Sequence, residues 1–101
     1  VDLDFRFIPN AYALNQNYPN PFNPVTTITY DVMNDGFVSL KVFNMMGQEI
    51  ANLVNADLKA GVHSIQWNGT GLSGQAVSSG VYFYILNTGE FTSVKKMVFM
   101  K

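Results

Sequence analysis

Cysteine is absent from the 101 residues, so disulfides, thiolate metal sites and cysteine nucleophiles are excluded. That absence leaves the compartment open, because an exported protein need not contain cysteine. Charge is also scarce. Charged side chains make up 13% of the chain, against a usual ~25%. Six basic and seven acidic groups leave a formal charge of −1. No basic field exists to hold phosphates, which argues against nucleic acid as a partner. No block of like charge marks an acidic or basic tail. No apolar run approaches the ~18–20 residues of a membrane span, so direct membrane insertion is not expected. No signal peptide opens the chain, and its start at Val1 reads as a segment cut from a longer protein.

Hydrophobic residues are plentiful at 48%, and aromatics reach 14%. A chain this apolar is not disordered, and its length suffices for one domain with one core. Turn signals recur about every ten residues. They are Asn34-Asp35-Gly36, Met46-Gly47-Gln48, Lys59-Ala60-Gly61, Asn68-Gly69-Thr70-Gly71, Ser78-Ser79-Gly80 and Thr88-Gly89. Between them the pattern alternates. Ile28, Tyr30 and Val32 share one face, as do Val38, Leu40 and Val42, and His63, Ile65 and Trp67. A period of two gives each segment one apolar face, as a half-buried antiparallel strand requires. Val81–Leu86 is apolar on both faces and is expected at the centre of a sheet. Thr92–Met100 reads as the last strand, with Lys95 and Lys96 on opposite faces unless a bulge intervenes. Gln48–Leu58 fits either a helical spacing or a strand. The reading is all-β: an antiparallel sandwich of about seven strands. Ile28, Tyr30, Val38, Leu40, Val42, Ile65, Trp67, Tyr82 and Tyr84 are the expected core.

The opening stretch differs. Phe7 to Tyr30 carries no charge and holds all four prolines. Asn15 to Pro24 alternates Asn and Pro with aromatics. Proline fixes φ and removes a donor, so this is no interior strand. It reads as an extended lead-in strapped across one end of the sandwich, with Tyr18 and Phe22 plugging the core. A proline-rich ligand for an aromatic groove is the sharper alternative, but no P-x-x-P with basic neighbours is present.

Candidates for chemistry are few. His63 stands at an apolar-alternating position and reads as a core or rim histidine bonded to backbone. No second group is placed to work with it, and catalysis requires a positioned set. Ser78-Ser79-Gly80 lacks the G-x-S-x-G elbow. The carboxylates Asp2, Asp4, Asp31, Asp35, Glu49, Asp57 and Glu90 are dispersed, and no phosphate loop is present. No catalytic residue, metal site or cofactor is expected. Asn68-Gly69-Thr70 matches a glycosylation pattern, and Asn-Gly is a deamidation risk. Trp67, Tyr82, Tyr84, Phe83 and Tyr30 could form a sugar-stacking platform, although alternating aromatics are more often core. Phe37, Phe43 and Phe83 fall on presumed outward faces and suggest a contact surface.

The run Asn17-Tyr18-Pro19-Asn20-Pro21-Phe22-Asn23-Pro24, followed by Thr26-Thr27-Ile28, resembles the start of a type IX secretion system C-terminal sorting domain. Later pieces agree in order and spacing. Val38 to Ile50, with Gly47 at its turn, resembles the family's strand–turn–strand. Ala60 to Gly69 resembles its Gly-x-His…Trp-Asp-Gly segment, with Trp67-Asn68-Gly69 in place of Trp-Asp-Gly. Ser79-Gly80-Val81-Tyr82-Phe83-Tyr84 resembles its Gly-Val-Tyr strand. Lys95-Lys96-Met97-Val98 and Lys101 resemble its closing strand.

The resemblance implies an immunoglobulin-like domain over 12–101, joined by a linker over 1–11 to an N-terminal passenger. It implies export through the periplasm and outer membrane to the cell surface or medium. The implied partners are the type IX translocon, a sortase-like cell-surface peptidase that removes the domain, and the passenger. Lys95, Lys96, Met97, Val98 and Lys101 are the expected recognition residues. Asn20, Pro21, Phe22, Asn23, Pro24, Gly47, Trp67, Gly69, Gly80 and Tyr82 are the structural motif. If the Asp of Trp-Asp-Gly is a turn residue, Asn68 is equivalent, and no metal is expected there. The immunoglobulin-like domain of flagellar hook-capping protein is a relative of the family. A scaffold or linker module of a cell-surface protein is therefore a second reading, and a carbohydrate-binding accessory module a third.

Overall fold

Alternating burial defines the strands. β2 (Thr26–Val32) buries Thr26, Ile28, Tyr30 and Val32 and leaves the residues between them half-covered. β3 (Gly36–Phe43) buries Val38, Leu40 and Val42 in the same way. Residues 8–101 are described in a computed structural model. The first seven residues of the linker expected over 1–11, Asp2 and Asp4 included, lie outside the described residues. The remaining strands are β1 (Ala13–Leu14), β4 (Glu49–Leu58), β5 (Gly61–Trp67), β6 (Gly80–Asn87) and β7 (Thr92–Phe99).

Two antiparallel sheets result, in orders β1-β2-β5 and β4-β3-β6-β7. Their inner faces meet over a single core, in an immunoglobulin-like sandwich whose fourth strand has joined the sheet of the third. Every expected core residue is buried except Ile65, which is half-covered because β5 is an edge strand. Val81–Leu86 lies in β6, between β3 and β7, the central place its two apolar faces require.

Three local readings are resolved by the structure. Of the readings of Gln48–Leu58 the strand holds, and the helical one is set aside: β4 runs from Glu49 to Leu58 beside β3. Register shifts between Leu40 and Lys41 and between Val42 and Phe43 slip Leu53 and Ile50 out of the simple alternation. No bulge interrupts the closing strand. β6 and β7 pair evenly from Gly80↔Phe99 to Asn87↔Thr92, so Lys95 stays on the inward row beside Tyr84. Finally, the lead-in runs along the flank of the sandwich rather than across its end, pairing at Tyr18↔Thr27 and Phe22↔Phe99. Phe22 is buried in the core there, but Tyr18 is 81% exposed.

Candidate recognition surface

The lead-in closes one side of the sandwich, and hydrogen bonds show how. Toward β2, the Asn15 N–H donates to the Thr29 carbonyl at 3.1 Å. Tyr18 and Thr27 exchange both backbone bonds, at 3.0 and 2.9 Å. Toward β7, the Phe22 N–H donates to the Val98 carbonyl and the Met100 N–H to the Phe22 carbonyl, both at 3.0 Å. Prolines at 19, 21 and 24 have no N–H to offer. Side-chain amides supply the rest. Asn20 Oδ1 accepts from the Val98 N–H at 2.9 Å, and Gln16 Nε2 donates to the Lys96 carbonyl at 2.7 Å. An edge strand that would otherwise expose unpaired groups is thereby covered.

Under the strap lies a buried polar hub. Asn17 is 2% exposed. Its Nδ2 donates to the Pro19 carbonyl at 3.1 Å and to Thr26 Oγ1 at 2.9 Å. Its backbone N–H donates to Tyr84 Oη at 2.8 Å, and Tyr84 Oη donates to the Asn15 carbonyl at 2.7 Å. Burial pushes the Tyr84 phenol up to about 12, against a smaller lowering by the Asn17 bond. Among the described residues no buried side-chain polar atom lacks a partner. That matters because an unmet buried group costs about 1–3 kcal/mol.

Beyond the hub, four rings fill the end of the core. Phe22 stacks on Phe99 with centroids 4.9 Å apart and meets Trp67 at 5.7 Å. Trp67 meets Tyr82 edge-on at 5.7 Å. The indole Nε1 donates to the Thr70 carbonyl at 2.9 Å, which bends the chain after β5. Gly69 lies directly beneath Phe99. It holds φ at +74°, and a Cβ there would approach Phe99 Cζ to 2.9 Å. Asn68 Oδ1 accepts from the Thr70 hydroxyl at 2.7 Å, as a turn residue does.

Phe22, Trp67, Gly69, Tyr82 and Phe99 thus belong to one assembly joining the first and last segments of the chain, with Pro21 exposed beside it. Gly80 opens β6 opposite Phe99. Gly47 lies in the separate turn between β3 and β4, and Asn23 and Pro24 are exposed at the strap's exit. Among the expected recognition residues, Met97 is buried and belongs to the core. Lys96 is exposed opposite Phe83, while Lys95 is half-buried opposite Tyr84. Val98 is half-covered on the outer face. Lys101 is exposed, and its backbone N–H donates to Ser79 Oγ at 2.8 Å. Neither Lys95 nor Lys96 forms an ion pair with a described residue; the described pairs are Lys41–Glu49 and Lys59–Asp35.

His63 Nε2 donates to the Lys59 carbonyl at 2.8 Å, and its ring stacks on Tyr30. Tyr30, Trp67, Tyr82 and Tyr84 point into the core, so they form no sugar-stacking platform. Phe37 is exposed, and Phe43 lies across from Phe83 on the half-covered outer face of the four-stranded sheet. The sequence reading missed Gln16, Asn17 and the Tyr84 hydroxyl. Their available signal was the density of amides in a segment with no charge.

The described residues form an antiparallel β-sandwich whose last strand is stitched to the lead-in. Residues 16–100 match the family described as the secretion system C-terminal sorting domain, and the chain belongs to that family. Two solved structures from Porphyromonas gingivalis share the fold. Dimeric latent PorU aligns with a TM-score of 0.66 at 19% identity, over 88% of this chain and 9% of PorU. PorZ, described as an essential bacterial surface component of the type-IX secretion system, aligns at 0.57 and 19% identity. That alignment covers 91% of this chain and 12% of PorZ. The chain therefore spans about a tenth of either protein's length. No curated protein matches it.

Proposed function

We propose that this chain is a non-catalytic export module, read as a folded surface by the type IX machinery and then removed from its passenger by a sortase-like peptidase. The observation that carries the reading is the stitching of β7 to the Gln16–Phe22 strap. The closing strand pairs with β6 on one side, and its other edge is completed only when a segment about eighty positions earlier lies beside it. A linear tag would need no such partner. Lys96 in that strand and Lys101 beyond it are exposed, Lys95 is half-buried, and long stems keep their ammonium groups in water. None of the three pairs with a described carboxylate, which leaves them open to an acidic or carbonyl-rich receptor.

The test fuses the domain to a foreign periplasmic protein in a host with the type IX machinery. Lys95→Gln with Lys96→Gln removes charge and keeps the stems. The double variant should melt near wild type and export more slowly. Export at the wild-type rate, alongside failure of a destabilised core variant, would show that folding alone is required. Release of passenger lacking the domain, lost when the surface peptidase is absent, tests the removal step.

A further inference from the structure

The two flanks of the sandwich are treated differently. On one, the β7 edge is covered: the Lys96 carbonyl, both backbone groups of Val98 and the Met100 N–H are all bonded by the lead-in. On the other, β5 and β4 are the edges. Thr27 and Thr29 direct their backbone groups toward the lead-in. Successive residues of a strand bond to opposite sides. Ile28 and Tyr30 therefore exchange bonds with Ile65 and His63, their register partners on β5. This leaves the N–H and C=O of Val62, Ser64 and Gln66 projecting from the free edge. None of them has a bonding partner among the described residues.

That edge also lacks protection. Gly61–Trp67 contains no lysine, proline or carboxylate, and pairs with β2 without a bulge. β4, by contrast, carries Glu49, Asp57 and two register shifts. A groove of about 500 Å³ opens between the two strands at the Gln66 end. Asn52, Leu53, Gln66, Asn68 and Leu72 are among its walls, and no wall residue is charged. The side-chain amides of Asn52 and Gln66 bond to no described residue.

We propose that the β5 edge binds an extended, uncharged segment of another polypeptide, which adds as a strand beside Ser64 and sends a side chain into this groove. The molecule contains its own precedent: an extended, uncharged segment already closes the β7 flank through backbone bonds and side-chain amides. A flush β5-to-β5 pairing of two copies would leave the groove and its free amides without a ligand, so a single segment lying in it fits better. Strand addition of this kind takes affinity from main-chain bonds and selectivity from pockets for alternate side chains. The inference does not rest on the export reading.

The experiment titrates the isotope-labelled chain with a short capped peptide of alternating threonine and valine, methylated on alternate backbone nitrogens so that it offers one bonding edge. The amides of Val62, Ser64 and Gln66 should gain exchange protection, with shifts extending to Asn52 and Leu53. Asn52→Ala should weaken binding about fivefold, the loss of one hydrogen bond. Ser64→Lys places a charge on the edge, and Gln66→Pro removes an edge donor. Neither removes a β2 bond, so both should melt near wild type and lose the peptide. If Gln66→Pro melts low, Ser64→Lys alone decides. No protection at ~1 mM peptide would overturn the proposal. So would protection on another edge, unchanged binding by Ser64→Lys, or wild-type self-association that Ser64→Lys disperses.

Discussion

Phe22 and Phe99 stack with ring centroids 4.9 Å apart and planes inclined by 27°, and each ring also meets Trp67. This contact welds the strap to the last residue of β7. Phe22 is 1% exposed, so Phe22→Ala should cost about 3–5 kcal/mol as a large-to-small core change. It should also speed hydrogen exchange at Val98 and Met100, whose amides bond to Asn20 and Phe22. A stability loss with unchanged exchange at those two amides would show that the strap stays attached without the ring.

Trp67→Ala should cost about 3–5 kcal/mol as well, a large share of a domain's total stability. The indole is buried among Phe22, Tyr82 and Phe99, and its Nε1 holds the Thr70 carbonyl. A denaturant melt measures the loss. A thermal midpoint within ~1–2 °C of wild type would contradict this placement of the ring.

Gly69 and Gly47 should respond differently to alanine. Both hold positive φ, at +74° and +82°. The backbone strain alone costs about 1 kcal/mol at either position. At Gly69 the new Cβ also meets the Phe99 ring at 2.9 Å, whereas nothing lies within 4 Å at Gly47. Gly69→Ala should therefore destabilise the domain clearly more than Gly47→Ala in paired melts. Equal losses would mean that the ring yields freely.

Much of this was legible in the residues. β2 and β3 alternate cleanly because each buries one face, and the unbroken apolar run of β6 marks its central place between β3 and β7. β4 was not legible, since two register shifts break its period and leave a pattern that also suits a helix. An aromatic ring at Tyr18 suggests a plug for the core, but the backbone bonds to Thr27 turn that ring outward and Asn17 inward. A buried asparagine is tolerated there because Thr26, Pro19 and Tyr84 satisfy it. Such satisfaction depends on partners far apart in sequence, which periodicity does not reveal. The lysines expected to be recognised stood out in sequence, whereas the free edge of β5 emerged only from strand order and register.

Alkaline stability should depend on Tyr84. Its phenol ionises at about 12 in the fold, against about 10 when unfolded. A raised folded value means that its contribution is complete below about pH 10 and lost as pH rises through about 12. Unfolding in that window releases a proton, so stability should fall across it. Tyr30 is raised in the same direction by burial. Tyr84→Phe should cost about 1–3 kcal/mol at neutral pH by leaving the Asn17 N–H and Asn15 carbonyl unmet. It should also flatten the alkaline decline. Denaturant melts across pH check both, and identical alkaline slopes would contradict the assignment.

The most direct measurement compares export of one foreign passenger fused either to residues 12–101 or to the closing segment 92–101 alone. A folded surface as the signal predicts passenger on the cell surface or in the medium only with the whole domain, and periplasmic retention with the segment. Equal export by the ten-residue tail would contradict it and make the signal linear.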